Sequence, residues 1–254
     1  MTVIIKRPKQ TNERNKDFFK RKDQELTNLD WAKWGGWKDT DGHFRKGNKR
    51  EGNTVGLKLK DRQPVELFSE TFETSLLYLE HQTTAPNGTK YTAKEYVAII
   101  CGPKAVWFTK NVYPYLIKEE KKDYAANLLG YRPESKDLTT WTTDEVIHYL
   151  GTAIAGDGSL QNIYKDRALK LYIYSSDIQY LADLQSIAED KFKITSGLRE
   201  LSIYKTQKGM KTKYVLYIYG SINCNTGFFK SLTKNNIMTL DRKKYKIEKF
   251  ISKL

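Results

Sequence analysis

The chain has 254 residues, enough for one large domain or two small ones with a buried core, and no apolar run approaches the roughly 18 residues of a membrane span. Its 44 Lys and Arg residues against 30 Asp and Glu residues give a formal net charge of +14, which favours a nucleic acid or an anionic membrane surface as partner. The first residues lack a signal-peptide core, and two cysteines make neither a disulfide framework nor a zinc site, so we expect an intracellular protein of unassigned compartment.

The beginning of the chain is dense in charge and shows no sustained apolar period. This composition predicts a mobile or loosely helical basic arm over residues 1–27. Such an arm is either a solvated tail or a segment that contacts DNA, and the sequence favours neither.

A first unit of alternating helices and strands is expected over residues 28–130. The strand predicted at residues 54–60 alternates apolar with basic side chains, which is typical of a half-buried strand. In chain order we expect a helix from Asn28 or Asp30 to Gly42, strands at 43–46 and 54–60, a helix over 65–79, a hairpin turned at Asn87-Gly88 with a strand at 94–101, and a helix that opens at Gly102.

The same order of elements returns in a second unit, residues 142–254, after a polar linker at residues 131–141. We expect a helix from Thr143 to Gly158, strands at 159–164 and 169–175, a helix over 177–192, a long hairpin of 197–205 and 211–219, and a helix from about Asn223. Each unit is therefore predicted to run helix, two strands, helix, two strands, helix.

Two runs of small and apolar residues each end in Asp-Gly: WGGWKDTDG at residues 34–42 and LGTAIAGDG at residues 150–158. A single such run predicts no more than a helix end and a turn. Their recurrence in similar surroundings indicates a duplicated unit. Small residues let two helix backbones approach closely, so two such helices in contact would bring Asp41 and Asp157 side by side. Two adjacent carboxylates are ligands suited to a metal ion.

These runs resemble the motif of the LAGLIDADG homing endonucleases, in the form that carries two motifs on one chain. Asp41 and Asp157 match the eighth position, which is the metal-binding acidic residue of the family, and Gly42 and Gly158 match the ninth. The resemblance therefore implies metal ligands at these four residues. The second run has Ala155 and Thr152, and the first run has Trp34, Trp37 and Lys38, where the motif has other residues.

The resemblance also implies an α+β fold of two pseudo-symmetric αββαββα units. Each unit would be a four-stranded antiparallel saddle-like sheet packed on helices, and the two would join at a two-helix interface. The implied activity is a site-specific, metal-dependent double-strand cut across the minor groove of DNA. Magnesium binds through one or two carboxylates, with water and phosphate oxygens completing its shell, and two metal ions can clamp the attacking and leaving oxygens. We expect Mg²⁺, or Mn²⁺ in its place, or Ca²⁺ in a non-cleaving complex.

In this family a basic residue beyond the last strands of each repeat lies near the reacting phosphate. By alignment this residue falls within residues 118–122 and 242–244. Residues 119–129 and 241–251 align without gaps and place Lys121 opposite Lys243. We assign these two lysines to chemistry, because a lysine can stabilise developing negative charge. Asp39 has no counterpart at Ala155, so we expect it to cap or to face solvent.

The expected partner is double-stranded DNA with a long, partly asymmetric target, bound by a monomer. The resemblance implies sheets that lie in the major groove, where side chains read base edges. Strand alternation gives the candidate contacts: Lys58, Lys60, Lys170, Tyr172 and Tyr174.

Two other functions are compatible with the same scaffold and charge: a maturase that binds intron RNA, and a catalytically silent nucleic-acid-binding protein. Asp-Gly at both runs favours cleavage over simple binding, because two carboxylates that face a polyanion would repel phosphate unless a metal bridges them. No strongly amphipathic basic helix supports a membrane partner. The sequence does not identify the target or the host element.

Overall fold

The computed structural model describes residues 2–6, 13–48, 52–85, 88–163, 167–206, 209–221, 223–234, 237 and 240–254. Residues 1–25, 41–111 and 123–132 form one compact unit, and residues 26–40, 112–122 and 133–254 form the other. Both Asp-Gly runs thus contribute their helical part to the second unit. The division at residues 28–130, 131–141 and 142–254 stays a prediction.

The strands and helices follow the order that the sequence predicts. The strands are β1 (Thr2–Lys6), β2 (Gly42–Arg45), β3 (Thr54–Leu59), β4 (Leu76–Thr84), β5 (Lys90–Cys101), β6 (Gly158–Ile163), β7 (Ala168–Ser175), β8 (Ser196–Thr206) and β9 (Gly209–Ser221). The helices are α1 (Asn15–Glu25), α2 (Asn28–Thr40), α3 (Arg62–Thr71), α4 (Gly102–Val112), α5 (Glu119–Leu129), α6 (Thr143–Asp157), α7 (Ile178–Phe192), α8 (Thr226–Thr233) and α9 (Asp241–Ile251). Short 3₁₀ turns lie at Tyr113–Tyr115 and Leu138–Thr140.

In the first unit, antiparallel strands form a sheet in the order β1-β4-β5-β3-β2. Helix α3 packs on β3, β4 and β5, because one face of each strand is apolar. The side chains between them have no exposed surface; they include Val55, Leu57, Val65, Phe68, Leu76 and Ala98.

In the second unit, the antiparallel order is β6-β7-β9-β8. The strand β7 shows why the sheet has one buried face: Leu169, Leu171 and Ile173 have no exposed surface, whereas the residues between them are half-buried. Helix α7 packs on β7, β8 and β9. The opposite face of this sheet is left open for the alternate side chains.

The predicted α+β fold is confirmed, with two differences in the first unit. The sheet has five strands, because Thr2–Lys6 pair with β4 as an added edge strand, and Asn15–Glu25 form a helix. Residues 1–27, predicted as an arm, thus contribute two regular elements. Residues 1, 7–12, 87 and 164, on which parts of these predictions fall, lie outside the described residues.

The helix predicted over residues 65–79 is wrong in its second half. Helix α3 ends at Thr71, Glu73 takes a left-handed conformation with φ of 51°, and β4 begins at Leu76. The uninterrupted apolar run at residues 76–79 satisfies both the helical and the strand period, so periodicity alone could not place the boundary.

Helices α2 and α6 lie against each other inside the second unit, at the small residues of the two runs. A Cβ atom on Gly36 would lie 2.2 Å from Thr152 Oγ1 and 2.4 Å from the carbonyl oxygen of Tyr149. The Thr152 hydroxyl in turn donates to the Lys33 carbonyl oxygen, 2.9 Å away on the other helix. The contact therefore requires glycine at position 36, where a helix interior would otherwise prefer alanine.

Replacing Gly36 with alanine tests this packing. We expect Gly36→Ala to lower the free energy of unfolding by about 1–3 kcal/mol, because the new methyl group meets a backbone carbonyl that cannot move independently of α6. Urea denaturation measures the change. The matched control is Gly227→Ala in α8, where a Cβ atom meets nothing within 4 Å. Equal effects of the two substitutions would contradict the close contact.

Candidate catalytic centre and nucleic-acid interface

Asp157 is the last residue of α6, and the beginning of that helix is firmly capped. Thr142 accepts the backbone N–H of Glu145 at 3.1 Å, and the Glu145 carboxylate accepts the backbone N–H of Thr142 at 2.8 Å. The buried Glu145 also accepts hydrogen bonds from Tyr115 Oη at 3.0 Å and Lys136 Nζ at 2.5 Å. These contacts fix the axis of α6 and hence the direction in which Asp157 leaves it.

The other end of α6 is held by a buried lysine. Lys243 Nζ donates to the carbonyl oxygens of Ile154 at 2.8 Å, Ala155 at 2.5 Å and Gly158 at 2.7 Å. The last carbonyls of a helix have no partner within the helix, and they carry the negative end of its dipole. The ammonium group therefore caps α6 beside the candidate catalytic carboxylate.

Asp157 itself pairs with a lysine that precedes α5. Lys118 Nζ lies 3.1 Å from Asp157 Oδ2, and the same ammonium lies 4.4 Å from the centre of the Tyr180 ring. Lys118 falls within the stretch that sequence reasoning singled out, but the choice there was Lys121. The alignment could not separate the two, because only the fold shows which side chain points at the carboxylate.

Lys121 lies in the first turn of α5 and is half-buried. Burial and the positive charge of Lys118 lower the pKa of Lys121 from its ordinary value. Burial lowers the pKa of Lys38, on α2, well below its ordinary value, and the charge of Lys121 contributes. Lys121 thus interacts with the charges of both Lys118 and Asp157, and positive side chains at this position attract phosphate.

Asp39 is fully buried, so the expectation that it could face solvent is wrong. It accepts the backbone N–H groups of Ile117 at 2.6 Å and Lys118 at 3.3 Å, and the hydroxyl of Tyr149. Burial raises the pKa of Asp39 to about 6, although the hydrogen bonds from Tyr149 and Ile117 oppose that rise. Asp39 thus fixes the backbone from which Lys118 reaches Asp157.

In the first unit, Asp41 directly follows α2 and is half-buried, and Gly42 begins β2 opposite Leu57. Lys58, predicted to contact DNA, forms an ion pair with Glu95 at 2.6 Å. Lys60 is exposed just beyond β3. The charge of Lys58 is thus offset by Glu95.

The end of α6 fits a divalent cation through its carboxylate and not through the glycine carbonyl. The side chain of Asp157 is 30% exposed, and carboxylate oxygens suit Mg²⁺. The carbonyl of Gly158, however, already accepts a hydrogen bond from the Lys243 ammonium, whose charge would repel a metal ion. Across the part of the chain that the structure describes, no three His, Cys, Asp or Glu side chains group closely enough to hold an ion. Asp157 would therefore need water and DNA oxygens to complete a metal shell.

The open face of the second sheet carries the other predicted contacts. Lys170, Tyr172 and Tyr174 alternate along β7, and the Tyr172 and Tyr174 rings are stacked with centroids 6.2 Å apart and planes 16° apart. Tyr217 and Tyr219 stand opposite them on β9. Sequence reasoning missed the β9 tyrosines, because only the strand register brings them onto this face.

Comparison with known proteins agrees with this architecture. A family model described as a LAGLIDADG-like domain matches residues 144–226, which include the second Asp-Gly run. The homing endonuclease I-WcaI bound to its DNA recognition sequence has a similar fold, with a TM-score of 0.54 and 15% identity, covering 94% of this chain and 95% of that chain. The resemblance predicted from the two runs is thereby confirmed.

Two structures of another protein align with lower TM-scores. Full-length DUF199/WhiA from Thermatoga maritima gives 0.46 at 13% identity, covering 93% of this chain and 65% of that chain. The N-terminal LAGLIDADG domain of DUF199/WhiA gives 0.39 at 13% identity, covering 96% and 98%. No curated protein sequence matches the chain. Within the described residues, no helix is long and apolar enough to cross a membrane.

Removal of the Lys243 ammonium tests its capping role. We expect Lys243→Met to lower the free energy of unfolding by about 2–4 kcal/mol, because buried carbonyls of α6 lose their donor. The control is Lys246→Met on the same helix, which removes one hydrogen bond to the Leu160 carbonyl at a more exposed position. Urea unfolding of both variants measures the difference, and a loss no larger than that of the control would contradict the capping role.

The buried Asp39 predicts a pH-dependent difference between the wild type and Asp39→Asn. The raised pKa means that the folded state binds more protons than the unfolded state between pH 3.8 and about 6. The free energy of unfolding of the wild type, compared with that of Asp39→Asn, should therefore fall by up to ~3 kcal/mol as pH rises through this window. Above the window the difference between the two proteins should stay constant. Denaturant unfolding of both proteins at several pH values measures this. A constant difference from pH 4 to 7 would show that the pKa of Asp39 is not raised.

Proposed function

We propose that this chain, of which residues 144–226 match a LAGLIDADG-like domain model, is a site-specific DNA endonuclease that makes a divalent-metal-dependent double-strand cut across the minor groove. The observation that carries the proposal is Asp157 at the rigidly held end of α6, beside the lysines at positions 118 and 121. The second Asp-Gly pair, Asp41 and Gly42, follows the helix that packs against α6. The net charge of +14 and the similarity of the fold to a homing endonuclease support the same function.

In this proposal Asp157 would hold a metal ion at the end of α6, and Asp41 would hold one at the first Asp-Gly run. When bound, a divalent cation supplies an activated water and neutralises charge on the phosphate. Asp157 is paired with Lys118, so a cation held by this carboxylate would take the place of the Lys118 ammonium, which could then contact a phosphate oxygen.

Lys118 and Lys121 would stabilise the negative charge that develops on the phosphate in the transition state. Lys243, assigned to chemistry from its alignment with Lys121, keeps that assignment as a prediction. Its contacts with the α6 carbonyls favour a positioning role instead.

DNA contacts are proposed on the open faces of both sheets, through Lys58, Lys60, Lys170, Tyr172 and Tyr174. Phosphate contacts from the remaining surplus of lysines would set the affinity without reading sequence. Both motifs lie in one polypeptide, so we propose that a monomer cuts both strands.

Maturase activity on intron RNA is the second candidate function. The observation that favours it is the tyrosine-rich open face of the second sheet, since aromatic rings stack on unpaired bases in RNA recognition. Cleavage and RNA binding could be properties of the same chain.

Substitution of the motif aspartates tests cleavage. Asp157→Asn and Asp41→Asn should each abolish double-strand cutting in Mg²⁺, because an amide is a weaker metal ligand than a carboxylate, while duplex binding stays within a few-fold. A plasmid carrying the insertion locus of the gene is the substrate, and gel shift in Ca²⁺ measures binding. The control is Asp144→Asn at the opposite end of α6, which should cut normally. Full cutting by the double variant at positions 41 and 157 would refute the assignment.

Substitution of the lysines separates chemistry from binding. At saturating DNA, Lys118→Met and Lys121→Met should slow cutting by about 10–1,000-fold, because each removes positive charge from the position where negative charge develops. Their duplex affinities should change little. Lys122→Met is the control, since Lys122 pairs with Glu119 at 2.9 Å on the same helix. Variants that bind weakly but cut at the normal rate once saturated would show that these lysines hold DNA and take no part in the reaction.

A further inference from the structure

The open face of the second sheet is more aromatic than a surface for duplex phosphates requires. The antiparallel register places Tyr217 directly opposite Tyr172 and Tyr219 directly opposite Lys170. Tyr217 is 40% exposed, in the middle of a strand whose other face is in the core. Tyr172 and Tyr219 beside it are half-buried, so these outward-facing rings keep part of their surface accessible to a ligand.

Two concavities lie on this face, and the stacked tyrosine rings stand between them. The first has a volume of about 340 Å³ and is lined by Lys170, Tyr172, Arg199, Tyr217, Ile218 and Tyr219. The second has a volume of about 550 Å³ and is lined by Tyr174, Ser175, Ser176, Ser202, Tyr204 and Lys213. Tyr172 belongs to the first and Tyr174 to the second, and their rings are nearly parallel. Each concavity therefore has an aromatic wall.

Two cations of this face lie over aromatic rings. The guanidinium carbon of Arg199 is 5.7 Å from the centre of the Tyr217 ring, and Lys213 Nζ is 4.5 Å from the centre of the Tyr174 ring. Among the described residues that the register assigns to this face, none is Asp or Glu. The first sheet differs, because Lys58 there pairs with Glu95. The face of the second sheet thus offers positive charge that is not offset by a carboxylate on the same face.

We propose that this face binds single-stranded nucleic acid, with two consecutive unpaired bases in the two concavities and the adjoining phosphates on Lys170, Arg199 and Lys213. A base pair in a duplex presents only its edges, whereas an unpaired base presents its flat surface, on which a tyrosine ring can stack. Aromatic rings combined with a cationic groove are the usual means by which proteins hold single strands. Lys170, Tyr172 and Tyr174 are also proposed above to contact duplex DNA, so a single strand and a duplex would compete for this face. The inference does not depend on cleavage, because it does not involve Asp157.

Fluorescence anisotropy with the full chain tests the proposal, using fluorescein-labelled oligo(dT) and oligo(U) ten nucleotides long and a ten-base-pair duplex. Tyr172→Leu and Tyr217→Leu should each weaken binding of the single strands by roughly 5- to 150-fold, the range expected for loss of one stacked base. Tyr172→Phe should bind almost as the wild type does, because the ring is kept. Tyr245→Leu on α9, where the tyrosine is 63% exposed, is the matched control and should leave binding unchanged.

Each outcome supports or contradicts the binding of single strands to this face. Tighter binding of oligo(U) identifies RNA as the ligand, and equal or tighter binding of oligo(dT) identifies a displaced DNA strand; both support the proposal. Folded Leu variants that bind single strands normally would overturn it. So would a loss in Tyr172→Phe as large as that in Tyr172→Leu, or an equal loss of duplex binding. If the wild type did not cut DNA, the proposed endonuclease activity would be refuted. The binding of single strands to this face would be unaffected.

Discussion

Close packing of α2 against α6 determines where the functional groups of the second unit can lie. At Gly36 the two backbones approach so closely that a methyl group would overlap the Tyr149 carbonyl oxygen. One turn further along α2, Asp39 accepts the hydroxyl of Tyr149 and the backbone N–H of Ile117. The helix pair is thus connected directly to the segment that carries Lys118. A change in the spacing of α2 and α6 would move the lysine relative to Asp157, although no residue of the helix contact touches that carboxylate.

Burial determines the pKa shifts of the charged side chains at the end of α2. Lys38 and Asp39 are adjacent in sequence and fully buried. Burial lowers the pKa of Lys38 and raises the pKa of Asp39, which favours the uncharged form of each. Burying charge is unfavourable unless hydrogen bonds or opposite charges compensate, and the backbone donors around Asp39 supply part of that compensation. The positive charge of Lys121 adds to the lowering of the Lys38 pKa. A phosphate bound beside Lys121 would offset this repulsion.

The sequence predicted those features that depend on local pattern. Alternating side chains located β3 and β7, and the Asp-Gly runs located the ends of α2 and α6. It could not choose between Lys118 and Lys121, because both lie within a few residues of the start of α5 and only tertiary geometry brings Lys118 within 3.1 Å of Asp157. The sequence also could not predict that Lys243 caps α6. Its acceptors lie 85 to 89 residues away along the chain.

The two sheets share a fold but present different surfaces. In the first, Lys58 and Glu95 offset each other across β3 and β5. In the second, Tyr172 faces Tyr217 across β7 and β9, with Arg199 over the Tyr217 ring. Core packing constrains the buried positions of a strand, whereas the outward positions are free to change with the ligand. Similar sheets in the two units therefore do not imply that both bind nucleic acid in the same way. The aromatic face of the second sheet is the main difference in the side chains that the two units offer to a ligand.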